Sequence, residues 1–256
     1  MTTDPTSVKL VYLTDRARDV AVEHDHVYAA DTGPLRFDLY RPPHAAAPSP
    51  AVVIVNGLPD PGVAAMLGKP IKDWESYVGW ARMIAASGIA AIAYLNHTPA
   101  DVTSVIRHLR ANAGTLGIDR ARIGVFACSG HVPNALAVIA RERPACAALL
   151  YGYMLDLDGS TTVANASKQF YFAAPPVALD ELPREMPMLV VRAGRDVTPG
   201  LDGTIVQFVA AARARGLALM LVEHASGPHS FDLVDDSPRT REVIEEVLGF
   251  LRRSLA

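Results

Sequence analysis

Three side chains of different chemistry stand in loops that each follow an apolar, strand-like run of the sequence. They are Ser129, Asp196 and His229, in that chain order. In a parallel sheet such loops collect at one edge, because the carboxyl ends of the strands meet there. A hydroxyl, an imidazole and a carboxylate in contact form a relay for acyl transfer: the serine attacks a carbonyl, the histidine takes and returns its proton, and the aspartate holds the imidazole. The sequence therefore predicts one nucleophilic site at this edge.

The segment around Ser129 predicts how its hydroxyl is presented. The run before it is apolar and β-branched, and a helical pattern begins at about Val132. A serine on a tight turn between a strand and a helix exposes its hydroxyl above the sheet, near the positive end of the helix. The full pattern for such a turn is G-x-S-x-G, whereas residues 127–131 read Ala-Cys-Ser-Gly-His. Both outer glycines are replaced, so the assignment of Ser129 depends on its partner loops.

Acyl transfer also needs two backbone N–H donors for the oxyanion that forms at the attacked carbonyl. Gly130, directly after the serine, is predicted to supply one donor. The loop after the apolar run at 51–55 should supply the other, and since Pro59 has no N–H, the backbone of Leu58 is the candidate. Asn56 is predicted to brace that loop, with substrate binding as the second choice, and His131 is predicted to line the pocket.

Other residues are alternatives for these roles. If the turn were shifted by one residue, Cys128 would be the nucleophile, although the residue before the apex of such a turn points into the core. Asp202 fits the start of the next helix better than Asp196 does, which leaves Asp196 for the site. The histidines that compete with His229 are His97, His131 and His224. Of these, His224 ends its strand too early to reach across the face.

Two further groups of residues have both a functional and a structural interpretation. Trp74, Tyr77 and Trp80 follow helical spacing, and packing in the core or at its edge is favoured over a ligand cage. Arg192 and Arg195 flank the loop that carries Asp196, and for these two residues salt bridging is favoured over binding of an acidic substrate.

The elements that must carry these loops alternate along the chain. Extended patterns lie at 8–14, 19–29, 35–41, 51–55, 89–95, 122–126, 146–151, 188–192 and 217–222. Helical patterns lie at 74–86, 98–113, 132–141, 203–215 and 238–253. The three early extended patterns predict an antiparallel opening, and the alternation that follows predicts a mostly parallel, doubly wound α/β sheet.

One segment does not follow this alternation. Residues 156–185 lie before the acid-bearing strand and lack a clean helical period, so they are predicted to form a small insertion over the active face, with a lid as its common use. No linker or repeat divides the chain, and residues 1–256 are predicted to form a single domain.

The histidine loop and the order of elements resemble a known family. The sequence Ser-Gly-Pro-His-Ser-Phe-Asp at 226–232 is similar to the histidine loop of the dienelactone hydrolase-like group of α/β-hydrolases, and the resemblance extends over roughly 35–253. It implies the α/β-hydrolase fold. Two positions depart from the group: Ser129 stands where dienelactone hydrolases have a cysteine, and Asn56-Gly57 stands where a histidine-glycine pair is common. The serine favours ordinary ester hydrolysis over dienelactone as substrate.

The composition of the chain limits its possible binding partners and its expected location in the cell. The 256 residues are 50% apolar and 20% charged with a net charge of −3, and no block of Lys or Arg indicates a nucleic-acid or membrane-surface partner. No apolar run approaches the ~18 residues that cross a bilayer, and no signal peptide is evident, so a cytoplasmic location is expected. The two cysteines predict no disulfide, and the pair His24 and His26 has no further metal ligand by local spacing. No metal and no cofactor is expected.

These observations predict a cofactor-independent serine hydrolase that acts on small-molecule carboxylic esters through an acyl-enzyme. A lactonase or a peptidase with the same three residues is an alternative, because the relay does not distinguish acyl donors. A non-catalytic binding protein on the same scaffold is the alternative from another class, since fold alone does not give function. No oligomeric state follows from the sequence.

Overall fold

An eight-stranded sheet forms the centre of the molecule, in a computed structural model that describes residues 4–43 and 48–256. The strands are β1 Ala21–Ala30, β2 Gly33–Arg41, β3 Ser49–Ile54, β4 Ala90–Tyr94, β5 Ile118–Cys128, β6 Ala147–Leu150, β7 Met188–Ala193 and β8 Leu219–His224. Their order across the sheet is β1-β2-β4-β3-β5-β6-β7-β8. β2 is antiparallel to β1 and to β4, and every neighbouring pair from β4 to β8 is parallel.

Helices cover both faces of this sheet. They are α1 Asp60–Leu67, α2 Glu75–Ala86, α3 Asp101–Ala111, α4 Val132–Glu142, α5 Thr162–Phe170, α6 Leu201–Ala214, α7 Phe231–Val234 and α8 Pro238–Ser254. α2 and α8 pack on one face, whereas α3, α4 and α6 pack on the other. Successive strand residues alternate between these two cores: Val53 packs with α3 and α4, and Val52 packs with α2 and α8. Burial on both faces is the reason that the inner strands are apolar at every position.

The structure confirms the predicted mostly parallel sheet with antiparallel N-terminal strands. The insertion also lies where it was predicted, between β6 and the acid-bearing strand β7, and it contains one helix, α5, that the sequence did not indicate. The predicted helices and strands from β3 onward are all present, with ends that differ by a few residues. That residues 1–256 form one domain stays a prediction.

The extended pattern at 8–14 was wrongly predicted to be a strand. In the structure this segment joins no sheet and lies between two short 3₁₀ turns, Pro5–Ser7 and Asp15–Asp19. Leu10 packs against Gly79 of α2, and the Thr14 N–H is directed at the sulfur of Met83 in the same helix. Leu10 is therefore buried against the outside of α2, not by pairing with β1, whereas Leu13 is exposed.

Within the two described ranges, no helix is both long and apolar enough to cross a membrane.

Candidate active site

A chain of two hydrogen bonds joins the three side chains that the sequence singled out. Oγ of Ser129 lies 2.8 Å from Nε2 of His229, and Nδ1 of His229 lies 2.6 Å from Oδ2 of Asp196. The side chain of Asp196 is 1% exposed, whereas that of His229 is 29% exposed. The carboxylate is thus sealed beneath the imidazole, and the histidine has a face toward the space in which a substrate would lie.

Ser129 occupies a strained turn between β5 and α4. Its φ is +51°, in the left-handed region that side chains other than glycine rarely adopt. The next strand approaches this turn very closely, because a Cβ placed on Gly152 would lie 2.5 Å from the carbonyl oxygen of Ser129. Gly152, just after β6, therefore allows the close packing that the sharp turn needs. The outcome is a serine that projects from the sheet at the start of a helix.

The loops that carry the acid and the histidine are tied to each other. The N–H of Arg195 donates to the carbonyl of Gly227 at 2.9 Å, and a Cβ on Gly194 would lie 2.5 Å from the carbonyl oxygen of Ala225. Oδ1 of Asp196 accepts from the N–H of Thr198 at 2.8 Å, which leaves Oδ2 for the imidazole. These bonds fix the acid and the base relative to each other before any substrate arrives.

Three of the competing residues, Asp202, His224 and His97, lie outside this series of hydrogen bonds. Both carboxylate oxygens of Asp202 accept from the guanidinium of Arg192, which also bonds Glu223. The Nε2 atom of His224 contacts Thr240 of α8 and Asp235, and His97 is exposed. Arg192 thus forms the salt bridges that the sequence favoured for it.

The loop after β3 has no free backbone donor. The N–H of Asn56 donates to the hydroxyl of Tyr94, the N–H of Gly57 donates to Nδ1 of His131 at 2.7 Å, and the N–H of Leu58 donates to Oδ1 of Asn56 at 2.9 Å. The Leu58 N–H, predicted to be an oxyanion donor, is therefore already engaged by the side chain that was predicted to brace the loop. Gly130 differs, because it stands in the first turn before α4, where N–H groups have no acceptor within the helix.

Several solved structures with the same architecture are named as esterases. An esterase of Pyrobaculum calidifontis is 22% identical with a TM-score of 0.70, over 92% of this chain and 87% of that one. The thermostable carboxylesterase EstE1, cloned from a metagenomic library, is 18% identical with a TM-score of 0.70 over 92% and 90%. A bacterial heroin esterase is 15% identical with a TM-score of 0.68 over 93% and 84%. The chain has the α/β-hydrolase fold. A scan against protein-family models and a search of curated proteins both find no match to this sequence.

His131 occupies a distinctive position in this α/β-hydrolase fold. It stands two residues after Ser129, and its ring meets Tyr77 edge-on at 5.7 Å between centroids. Burial lowers the pKa of His131 to about 4, so the ring is neutral near pH 7. A Cβ on Gly57 would lie 3.0 Å from Cα of His131 and 2.9 Å from the carbonyl oxygen of Gly130. The loop after β3 therefore touches the nucleophile turn through Gly57.

A buried carboxylate, that of Asp232, is linked to His229 through Tyr151. Oδ1 of Asp232 accepts from the hydroxyl of Tyr151 at 2.6 Å, and Oδ2 accepts from Nε1 of Trp80 at 2.8 Å. Burial raises the pKa of the Asp232 carboxyl. The ring of Tyr151 meets the ring of His229 edge-on, with 5.3 Å between centroids. Neither Asp232 nor Tyr151 was predicted from the sequence to belong to the site, although Asp232 lies in the segment at 226–232 that carries the family resemblance.

Two pockets flank Ser129. The smaller pocket, of about 160 Å³, is lined by Ile54, Val55, Trp74, Ser76, Tyr77, Trp80, Phe126, Cys128, Ser129, His131, Tyr151, Ser230, Asp232 and Leu233. The larger pocket, of about 350 Å³, is lined by Leu58, Ser129, Gly130, His131, Tyr153, Phe170, Phe172, Thr198 and His229. The aromatic series at 74, 77 and 80, interpreted from sequence as packing, thus forms a wall of the smaller pocket. Its helical spacing was the signal that these side chains share one face.

The insertion contributes to the larger pocket. Phe170 and Phe172 line it, and a Cβ on Gly130 would lie 3.0 Å from the ring of Phe172. The N–H of Ala173 donates to the carbonyl of Gly57 at 2.7 Å, which fastens the end of the insertion to the loop after β3. Use of the insertion as a lid stays a prediction.

Neither cysteine has the surroundings of a reactive thiol. Burial raises the pKa of Cys128 far above its ordinary range and that of Cys146 to about 12, so both thiols are protonated near pH 7. His24 contacts Asp38 and His26 contacts Glu23. In the part of the chain that the structure describes, no group of three His, Cys, Asp or Glu side chains is arranged to hold a metal ion.

Proposed function

We propose that this chain is a serine hydrolase that cleaves carboxylic esters through an acyl-enzyme. The observation that carries the proposal is the hydrogen-bonded series from Ser129 through His229 to Asp196, with distances of 2.8 Å and 2.6 Å. The solved structures of the same fold are named as esterases, which supports the same reaction class. The resemblance to dienelactone hydrolase-like proteins and the cytoplasmic location belong to this proposal as well.

The chemistry follows from the three side chains. Oγ of Ser129 attacks the ester carbonyl while its proton moves to Nε2 of His229, and the carbonyl electron pair becomes an oxyanion. The imidazolium is stabilised by Asp196 through Nδ1 and then gives the proton to the departing alcohol oxygen. A water molecule then gives a proton to the same histidine as it attacks the acyl-serine carbonyl. The bond from that carbonyl to Ser129 breaks, the acid is released, and His229 returns the proton to Oγ of Ser129. No cofactor takes part.

The two pockets suggest how an ester would lie across Ser129. His229 must protonate the leaving alcohol, and it lines the larger pocket but not the smaller one. The alcohol portion therefore belongs in the larger pocket, against Phe170 and Phe172. The acyl portion belongs in the smaller pocket of about 160 Å³. An apolar cavity of ~150 Å³ holds a molecule of the size of benzene, so this orientation favours short acyl groups.

A fluorophosphonate probe tests the proposed activity, because it phosphonylates only an activated serine. We expect the wild-type protein to be labelled and to hydrolyse p-nitrophenyl butyrate. Ser129→Ala should lose both properties while it unfolds at a similar temperature. Absence of labelling and of hydrolysis in a folded wild-type sample would identify the scaffold as a binding protein and overturn the proposal.

The identity of the nucleophile is tested by comparing two adjacent residues. Cys128 has a half-buried thiol that its surroundings keep protonated near pH 7, so treatment with iodoacetamide should leave hydrolysis largely intact. Cys128→Ala should retain activity within a few fold, whereas Ser129→Ala should be inactive. The opposite pattern would assign the nucleophile to Cys128.

A further inference from the structure

We propose that His131 donates a hydrogen bond from Nε2–H to the substrate oxyanion, as the second donor beside the backbone N–H of Gly130. The role rests on the proposed ester hydrolysis. It differs from the pocket-lining role that the sequence indicated, because it makes the imidazole a catalytic donor with a fixed proton position.

The hydrogen bond between Gly57 and His131 determines where the imidazole carries its proton. A backbone N–H can only donate, so Nδ1 of His131, 2.7 Å from the Gly57 nitrogen, must be the nitrogen with the lone pair. A neutral imidazole has one N–H, which must then be on Nε2. A protonated ring would direct N–H against N–H at Gly57, and burial already disfavours the cation. The neutral Nε2–H tautomer is thus imposed by the loop after β3.

The Nε2 atom is available to a substrate. It has no hydrogen-bond partner among residues 4–43 and 48–256, yet it is not sealed in the core. In those ranges, the buried side-chain polar atoms that lack a partner are Asn56 Nδ2 and His224 Nδ1. His131 lines both pockets, and among the described residues only Ser129 shares that property. An ester that spans the two pockets must therefore pass over the nucleophile and this ring together.

The loop that would otherwise give the second donor has none to spare. Asn56, Gly57 and Leu58 each donate their N–H within the protein, and Pro59 has none. The next N–H along, that of Asp60, donates to Oδ1 of Asn96. Gly130 alone would leave the oxyanion with one donor. His131, which stands where the usual pattern has a glycine, supplies the missing donor from a side chain.

In the reaction this donor moves no proton. As the bond from Ser129 Oγ to the carbonyl carbon forms, the carbon–oxygen π pair moves to the oxygen, and the serine proton goes to His229. The new negative charge is met by Gly130 N–H and His131 Nε2–H. A neutral donor held by Gly57 needs little reorganisation as the charge develops, which is the condition under which such donors accelerate acyl transfer.

Two variants separate donation from bracing. In His131→Asn, the side-chain oxygen takes the place of Nδ1 and can still accept from Gly57, but nothing reaches the position of Nε2. In His131→Gln, the amide reaches the position of Nε2 and can donate there, but the acceptor for Gly57 is lost. Thermal melts of both variants and of wild type establish that each protein is folded.

The measurements are kcat and KM for p-nitrophenyl butyrate and the Ki of a short alkyl boronic acid, which forms a tetrahedral adduct with the serine. We expect His131→Asn to lose about 100-fold in kcat with a smaller change in KM, as for loss of one oxyanion donor, and to bind the boronic acid correspondingly more weakly. His131→Gln should exceed His131→Asn in kcat by at least about tenfold. A role in bracing alone predicts the reverse order of kcat. A kcat of His131→Asn that equals or exceeds that of His131→Gln therefore overturns the inference.

The tautomer is tested independently by ¹⁵N NMR of imidazole-labelled wild-type protein at pH 7. Protonated Nε2 and bare Nδ1 at His131 are expected, and a proton on Nδ1 overturns the inference. A wild-type protein that hydrolyses no ester and takes no fluorophosphonate overturns the proposed function and this role with it. An active wild type with an undiminished His131→Asn overturns this role alone.

Discussion

The hydroxyl of Tyr151 donates a 2.6 Å hydrogen bond to Oδ1 of Asp232, and the ring of Tyr151 meets the ring of His229 edge-on. The other carboxylate oxygen accepts from Trp80, and Asp232 is 1% exposed. A carboxylate buried to this extent is tolerated only where donors replace its lost water. The pair thereby holds the Tyr151 ring in its edge-on contact with the proposed general base.

Removal of the Tyr151 hydroxyl should therefore be costly. Tyr151→Phe keeps the ring but leaves one oxygen of a buried carboxylate without its donor, and we expect the free energy of unfolding to fall by about 2–3 kcal/mol. Tyr153→Phe is the matched control, because that hydroxyl donates at 2.8 Å to a neutral acceptor, the carbonyl of Pro199. The control should lose about 1 kcal/mol. Urea denaturation measures both, and equal losses would contradict a special role for the carboxylate.

The strain at Ser129 predicts an inverted preference between glycine and alanine. At a φ of +51° a Cβ is unfavourable, so Ser129→Gly should be more stable than Ser129→Ala by about 1 kcal/mol. Ser104, inside α3, is the control. There the helix should favour alanine over glycine by about 1 kcal/mol. Thermal and urea unfolding of the four variants gives both differences, and the same sign at the two positions would argue against strain at the turn.

The smaller pocket predicts a limit on acyl length. Its volume of about 160 Å³ should accept p-nitrophenyl esters up to roughly six acyl carbons, with kcat/KM falling steeply beyond that. Leu233 lines this pocket, and Leu233→Ala should move the decline to chains about two carbons longer. Val234→Ala, at the exposed neighbouring position, should leave the profile unchanged. If the acyl length at which kcat/KM falls is the same in Leu233→Ala as in wild type, the acyl chain does not lie in the smaller pocket.

Much of the architecture is predictable from the sequence because burial on two faces leaves a strong local pattern. Strands such as Ala51 to Ile54 are apolar at every position. The segment at 8–14 is also mostly apolar but joins no strand. Its Leu10 is buried against α2, about 70 residues away in the chain, and no local pattern records that contact.

The same distinction applies to the site. Ser129, Asp196 and His229 could be selected because each stands at the end of a strand, and strand ends share an edge. The sequence could not show that the backbone N–H groups after β3 are already hydrogen-bonded within the protein, because some of those bonds join distant residues. Gly57 meets His131 across 74 positions of sequence, and Tyr151 meets Asp232 across 81. Residue types alone do not reveal which N–H is already bonded.

Acid should destabilise the protein in part through His131. Burial lowers the pKa of this imidazole from its ordinary 6.5 to about 4, so between these values the unfolded chain binds a proton that the folded chain does not. The free energy of unfolding must therefore fall as pH decreases through this window, by as much as about 3 kcal/mol from this group.

The variant His131→Asn isolates that contribution, because it has no titrating group at this position and can still accept from Gly57. We expect urea unfolding at pH 7, 6, 5 and 4 to give a smaller decline in unfolding free energy for the variant than for wild type, with the two curves converging toward acid. Parallel curves would mean that His131 titrates normally in the folded protein. The neutral, Nε2-protonated ring on which its proposed donor role depends would then be lost below pH 6.5, because a normal imidazole is mostly protonated there.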